Sequence, residues 1–174
     1  DAIRYAVTHG AHVINLSLGT AADAGLIEDA VREASLAGVF VVSAAGNLNS
    51  TEKQFPGADG CALGVTSAGS SDVKSSFANF GSWVDMTAPG EGIPSALPPS
   101  GYGTWSGTSM AAPFAAGLAA LILNKRPALN PRQIASLMAT TAVDIDSQNP
   151  AHDGDLGLGR IDAGAAMSFL QAGS

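Results

Sequence analysis

A serine stands in the run Gly107-Thr108-Ser109-Met110-Ala111-Ala112-Pro113, where turns and β-favouring residues give way to a long apolar helix. A hydroxyl placed there gains the positive end of the helix dipole and free backbone N–H groups, both suited to an oxyanion forming beside it. Pro113 has no N–H for the carbonyl four residues earlier, that of Ser109, which predicts a loosely bonded first turn. The same position also suits a plain pair of helix caps. Asn47 is the second candidate. It ends Ala44-Ala45-Gly46-Asn47, directly after an apolar strand-like run, so its amide is a donor on a stiffly held turn. It equally suits a simple turn in Gly-Asn-Leu-Asn.

A serine hydroxyl is a weak nucleophile without an adjacent base. His9 and His12 read as surface or helix-end residues, and their pair has no third ligand nearby for a metal. Gly107 to Ala111 approaches the G-x-S-x-G elbow of α/β-hydrolases, with Asp144 or Asp146 and His152 as partners in the right order. Against that reading, Ala111 replaces the last glycine and the acid and base fall in one short loop.

The elements that must hold these residues alternate helical and strand signals, which implies βαβ units and a parallel sheet. Residues 1–9 read as a helix stopped by Gly10, 13–18 as a strand, and Asp23 as the cap of a helix to about Ala37. Residues 39–45 show no polar alternation, as expected of a strand covered on both faces. Another strand spans 62–67, and 82–107 mixes β-favouring residues with turns. Thr108 to about Lys125 is the long helix, Asn130-Pro131 opens another, and Asp162 caps a last one after a loop over 144–159.

With 174 residues, 46% of them hydrophobic and 13% charged, the chain is one folded α/β domain. The net charge of −7, with basic residues scattered singly, argues against nucleic acid or an anionic membrane as partner. The longest apolar stretch, Met110–Leu123, contains Pro113 and Gly117 and is too short to span a bilayer. One cysteine, Cys61, leaves the fold to packing alone. The first residues already read as helix without an initiator Met, which reads as truncation at the N-terminus.

Taken whole, Gly107 to Pro113 resembles the nucleophile motif of the subtilisin-like serine proteases. Ala44 to Asn47 resembles that family's oxyanion-hole segment, and Val13 to Gly19 its substrate-pairing strand. Phe55-Pro56-Gly57 resembles the turn at the base of the P1 pocket, where a cis proline is usual, and Gly157 to Asp162 the closing segment. The resemblance implies a three-layer fold with a mostly parallel sheet, this chain being the C-terminal part of the catalytic domain. It implies Ser109 as nucleophile and Asn47 with the Ser109 N–H as oxyanion donors. Peptide substrate would pair with Ser17, Leu18 and Gly19 and with Ala44, Ala45 and Gly46. The P1 floor would lie near Gly57. Such a slot has small walls and predicts Phe, Tyr, Leu or Met at P1, unless Asp59 turns inward and favours a base.

The family's Asp and His motifs are absent from the sequence and are expected upstream, in the rest of the same domain, which leaves this chain alone without activity. A non-catalytic peptide-binding or scaffold domain is the alternative. The chemistry would need no cofactor, while the complete domain would bind structural calcium with no ligand assigned here. Family enzymes are commonly secreted, so the expected setting is extracellular.

Overall fold

The computed structural model describes residues 1–22 and 25–172. Four short strands form a parallel sheet in sequence order: β1 (Val13–Leu16), β2 (Phe40–Ala44), β3 (Leu63–Ala68) and β4 (Met86–Pro89). Period-two alternation sends the side chains of β2 to two different cores. Phe40, Val42 and Ala44 join the larger core, whereas Val39 and Val41 join the smaller one. Both faces are therefore apolar, and the strand lacks polar alternation for that reason.

The larger core is closed by α3 (Thr108–Lys125) and α4 (Pro131–Thr140), with α5 (Ala163–Ala172) packed against α3. Ala111, Ala112, Ala115, Leu118, Ala119 and Ile122 form the buried stripe of α3. Four of these positions approach at alanine size, so the helix lies close against the sheet. The smaller core is closed by α1 (Ala2–Thr8) and α2 (Gly25–Leu36), through Ile3, Val7, Val31 and Ala34. Arg4 ties the two helices by a forked ion pair to Glu33, at 2.6 and 2.8 Å. Helices on both faces of a parallel sheet give the three layers expected.

The element ends follow their capping chemistry. Asn130 accepts the Gln133 N–H at 3.0 Å and Gln133 reaches back to the Asn130 N–H at 2.9 Å, a reciprocal capping box with Pro131 at the first turn. Asp162 accepts the Ala165 N–H at 2.8 Å at the start of α5. The cap expected at Asp23 lies outside the described residues. Beyond β4, residues 159–161 lie along its outer edge, where Thr87 and Ile161 donate to Gly159 and Thr87 carbonyls at 2.9 and 3.0 Å. On the far side, β1 pairs with β2 and with no other strand among the described residues. Between β4 and α3 an antiparallel hairpin, β5 (Ile93–Ala96) and β6 (Tyr102–Trp105), stands out from the body with Tyr102 and Trp105 exposed.

Candidate active site

Ser109 is the second residue of α3, so helix geometry leaves its N–H without an intrahelical acceptor. The run that carries it is anchored at Gly107, whose N–H donates to the Gly90 carbonyl at the end of β4 (2.8 Å). Gly90 has room for no side chain, because a β-carbon there would collide with Ser67 Oγ and the Gly107 carbonyl. Two backbones therefore meet at glycines and fix where the helix begins.

The buried Thr108 joins this run to the end of β2. Its N–H and its hydroxyl both donate to Asn47 Oδ1, at 2.9 and 3.1 Å, and its oxygen accepts the Gly46 N–H at 3.0 Å. A backbone N–H can only donate, so the oxygen of the Asn47 amide faces Thr108 and its Nδ2 faces away. A β-carbon on Gly107 would stand 3.6 Å from Asn47 Nδ2 and 3.7 Å from the Ser109 nitrogen. A side chain at 107 would thus enter a space bordered by both of these nitrogens and by Met110 Sδ, 3.5 Å from the same point. N–H groups from both of these nitrogens, if turned into that space, can stabilise negative charge on a carbonyl oxygen placed there.

The hydroxyl itself is engaged. Ser109 Oγ donates to the Ser17 carbonyl at 3.1 Å, while Ser17 Oγ donates to the Ser109 carbonyl at 2.8 Å. Asn15 Nδ2 donates to Ser17 Oγ at 2.9 Å and holds it in line. The Ser109 carbonyl is the acceptor that Pro113 cannot serve, so the looseness expected of this turn is corrected: a hydroxyl from the neighbouring strand end replaces the missing N–H. Among the described residues no histidine bonds to Ser109. His9 is exposed and stacks on Tyr5, and His152 packs edge-on to Phe80.

Ser17, Leu18 and Gly19 leave β1 beside Ala44, Ala45 and Gly46 leaving β2, since the two strands run in parallel register. This is the carboxyl end of the sheet, where α/β folds place ligands. Part of the second segment is already committed. Ala45 N–H donates to Val65 (2.9 Å), and the Gly46 carbonyl accepts from Asn79 N–H (3.0 Å). The segment accordingly acts more as a wall than as a pairing edge.

The slot between the segments differs from the roomy one expected. Thr20 and Phe55 exchange backbone hydrogen bonds of 3.0 and 2.8 Å, which draws Gln54 in beside Gly19. Gln54 Cβ lies 3.3 Å from where a β-carbon on Gly19 would stand, and its Cγ 2.9 Å from that of Gly46. Gln54 is buried and lies across the slot. Gly57, the expected floor, is buried against Ser43 beyond it. Phe55–Pro56 is cis. Asp59 is turned onto its own loop, accepting the Cys61 and Ala62 N–H groups at 2.7 and 3.3 Å, and so does not line the slot.

Sequence reasoning found Ser109 and Asn47 because each sits in a contiguous motif, but it missed Gln54, Gly107 as the corner, and Thr108 as the anchor. Adjacency to Phe55-Pro56-Gly57 was the only signal for Gln54. At the other end of the sheet, burial pushes the Asp85 carboxyl above its usual range, opposed by the Gly64 N–H donated to it at 2.7 Å. No three His, Cys, Asp or Glu side chains come together as a metal cradle among the described residues. No helix among them is long and apolar enough to cross a membrane.

A serine at a helix start, with two N–H groups beside it at the carboxyl ends of a parallel sheet, marks an α/β protein whose candidate site has the chemistry for acyl transfer. More narrowly, the chain belongs to the subtilase family, whose model matches residues 1–159. It is 34% identical over 164 residues to alkaline elastase YaB of Bacillus sp. strain YaB, covering 94% of this chain and 42% of that protein. It is 36% identical over 168 residues to the halolysin-like extracellular serine protease Nep of Natrialba magadii, covering 97% of this chain and 30% of that one. Among solved structures, a cold adapted subtilisin-like serine proteinase superposes with a TM-score of 0.83 at 35% identity, over 92% of this chain and 59% of its own. The chain therefore spans less than two thirds of each of these relatives. Family membership removes the α/β-hydrolase reading of Ser109, Asp144 or Asp146, and His152.

Proposed function

We propose that this chain is the nucleophile-bearing part of a serine endopeptidase that cleaves protein or peptide substrates through an acyl-enzyme. The observation that carries the reading is the corner at Gly107, bordered by Asn47 Nδ2 and by the backbone nitrogen of Ser109, the residue that bears the hydroxyl. Ser109 Oγ would attack the scissile carbonyl. The developing oxyanion would take hydrogen bonds from Asn47 and the Ser109 N–H, groups already oriented before substrate arrives. The base and its orienting carboxylate would come from the upstream part of the same catalytic domain. On this view the bond from Ser109 Oγ to the Ser17 carbonyl is a resting arrangement that a histidine acceptor replaces. The chemistry would draw on side chains and backbone alone, and structural calcium is left as an option of the complete domain, with no ligand assigned on this chain.

Substrate backbone would pair chiefly along Ser17, Leu18 and Gly19, with Ala44, Ala45 and Gly46 opposite. Because Gln54 lies across the slot above Gly57, small P1 side chains are favoured over the large apolar ones that an empty slot would take. An extracellular setting is proposed from the likeness to relatives such as Nep. The test is peptide hydrolysis by the full-length protein, its Ser109→Ala variant and the isolated chain. Turnover by the first alone is expected. No turnover by the full-length protein would reject the reading in favour of a scaffold domain, and equal turnover by Ser109→Ala would remove Ser109 from the nucleophile's role.

A further inference from the structure

We infer that Asn79 is a positioning residue for the oxyanion donor Asn47; the inference rests on the role proposed for Asn47. Asn47 lies in the turn over 46–50, and Asn79 grips that turn on both sides of it. The Asn79 N–H donates to the Gly46 carbonyl at 3.0 Å, and its Oδ1 accepts the N–H groups of Leu48 at 2.8 Å and Ser50 at 3.3 Å. Both of these donors are backbone groups, which assigns the amide orientation: oxygen toward the turn. Thr108 holds the Asn47 side chain from the helix side, so the donor is fixed at its tip by one residue and at its base by another.

Asn79 is itself immobile. It is fully buried, and its carbonyl accepts the hydroxyl of the buried Thr66 on β3. The residues around it reinforce the grip, with the Asn49 N–H on the Phe77 carbonyl at 2.8 Å and Lys74 Nζ on Asn49 Oδ1 at 2.8 Å. The other end of the Asn79 amide has a different status. Nδ2 is buried with no partner and abuts Gly46, where a β-carbon would stand 2.7 Å away. Gly46 has φ +99°, so glycine is required there twice over, by conformation and by contact with Asn79. Leaving an amide N–H2 unpaired in the interior costs stability, and groups that carry such a cost call for an explanation. The acceptor oxygen supplies one, because it sets the path of the turn that aims Asn47.

The role of Asn79 is thus confined to its oxygen, which makes the inference specific. Catalysis falls steeply when a transition-state donor is displaced by a fraction of its hydrogen-bond length. In the full-length protein, Asn79→Leu is expected to lower kcat by about 10- to 100-fold with KM changed by less than about threefold. Asn79→Asp, which keeps an oxygen where Oδ1 stands, is expected to retain kcat within about tenfold of the parent. In an Asn47→Ala background, Asn79→Leu is expected to lower kcat by less than about threefold further, because the group it positions is gone. If Asn79→Leu does not accumulate as folded protein, Asn79→Ser carries the same expectation, its oxygen being too short to reach both donors. An Asn79→Leu effect that multiplies fully onto Asn47→Ala, or a folded Asn79→Leu variant with parental kcat, overturns the inference while leaving Asn47 in its role. An Asn47→Ala variant with parental kcat overturns the role of Asn47 and the inference together.

Discussion

Ser17 and Ser109 bond to each other twice, the hydroxyl of each donating to the carbonyl of the other, at 2.8 Å from Ser17 and 3.1 Å from Ser109. The pair joins the end of β1 to the first turn of α3. It also compensates for Pro113, which withholds the N–H that the Ser109 carbonyl would otherwise receive.

Removing one of these bonds gives the first prediction. Ser17→Ala in the full-length protein deprives the Ser109 carbonyl of its donor and lets the first turn of α3 relax beside the oxyanion corner. A neutral hydrogen bond contributes on the order of 0.5–1.5 kcal/mol net, so kcat should fall by about 2- to 10-fold. Steady-state kinetics on a peptide ester measures this. A parental kcat with raised KM would assign Ser17 to substrate binding instead.

The position of Gln54 sets the second. Gln54→Gly empties the slot between Gly19 and Gly46, and the ratio of kcat/KM for a P1 Phe peptide over its P1 Ala counterpart should rise by about 10- to 200-fold. The parent should favour Ala. A parent that already cleaves after Phe more efficiently than after Ala would show that Gln54 swings out of the slot at no cost.

The third concerns Asp85, whose carboxyl burial pushes above its usual range. The folded state then binds a proton more tightly than the unfolded chain. Stability from this group is fully present below the unfolded value of 3.8 and is lost as pH rises from there through the folded value. Asp85→Asn keeps an oxygen for the Gly64 N–H and removes the penalised charge. Thermal unfolding should therefore show a higher Tm than the parent at pH 7, with the gap narrowing as pH is lowered toward 4. An equal gap at both pH values would mean that packing, not ionisation, separates the two proteins.

Much of the architecture was legible because its determinants are local. The apolar run from Thr108, the Asn130-Pro131 start and the Asp162 cap each specify their helix from neighbouring residues, and all three form as expected. Asn47 and Ser109 were legible for a similar reason, since each lies in an unbroken motif. What stayed hidden depends on residues far apart in the chain. Gln54 enters the slot only because Phe55 pairs with Thr20, and Asn79 meets Gly46 only because the turn after β3 folds back across the end of β2. The β5–β6 hairpin was blurred for another reason: Pro94, Gly103 and its exposed faces carry none of the apolar alternation by which a half-buried strand is read.

That hairpin has a closed neck. Gly107 N–H reaches the Gly90 carbonyl and Gly92 N–H reaches Ser106 Oγ at 2.9 Å, so the chain departs and returns at nearly one point. Everything between is an appendage on a fixed stem. Its length and sequence can drift without disturbing where α3 begins, because the stem bears the registration of Ser109 and the tip bears none. A lineage built on this plan can therefore remodel a prominent aromatic arm, with Tyr102 and Trp105 at its surface, while inheriting an unaltered corner around Ser109.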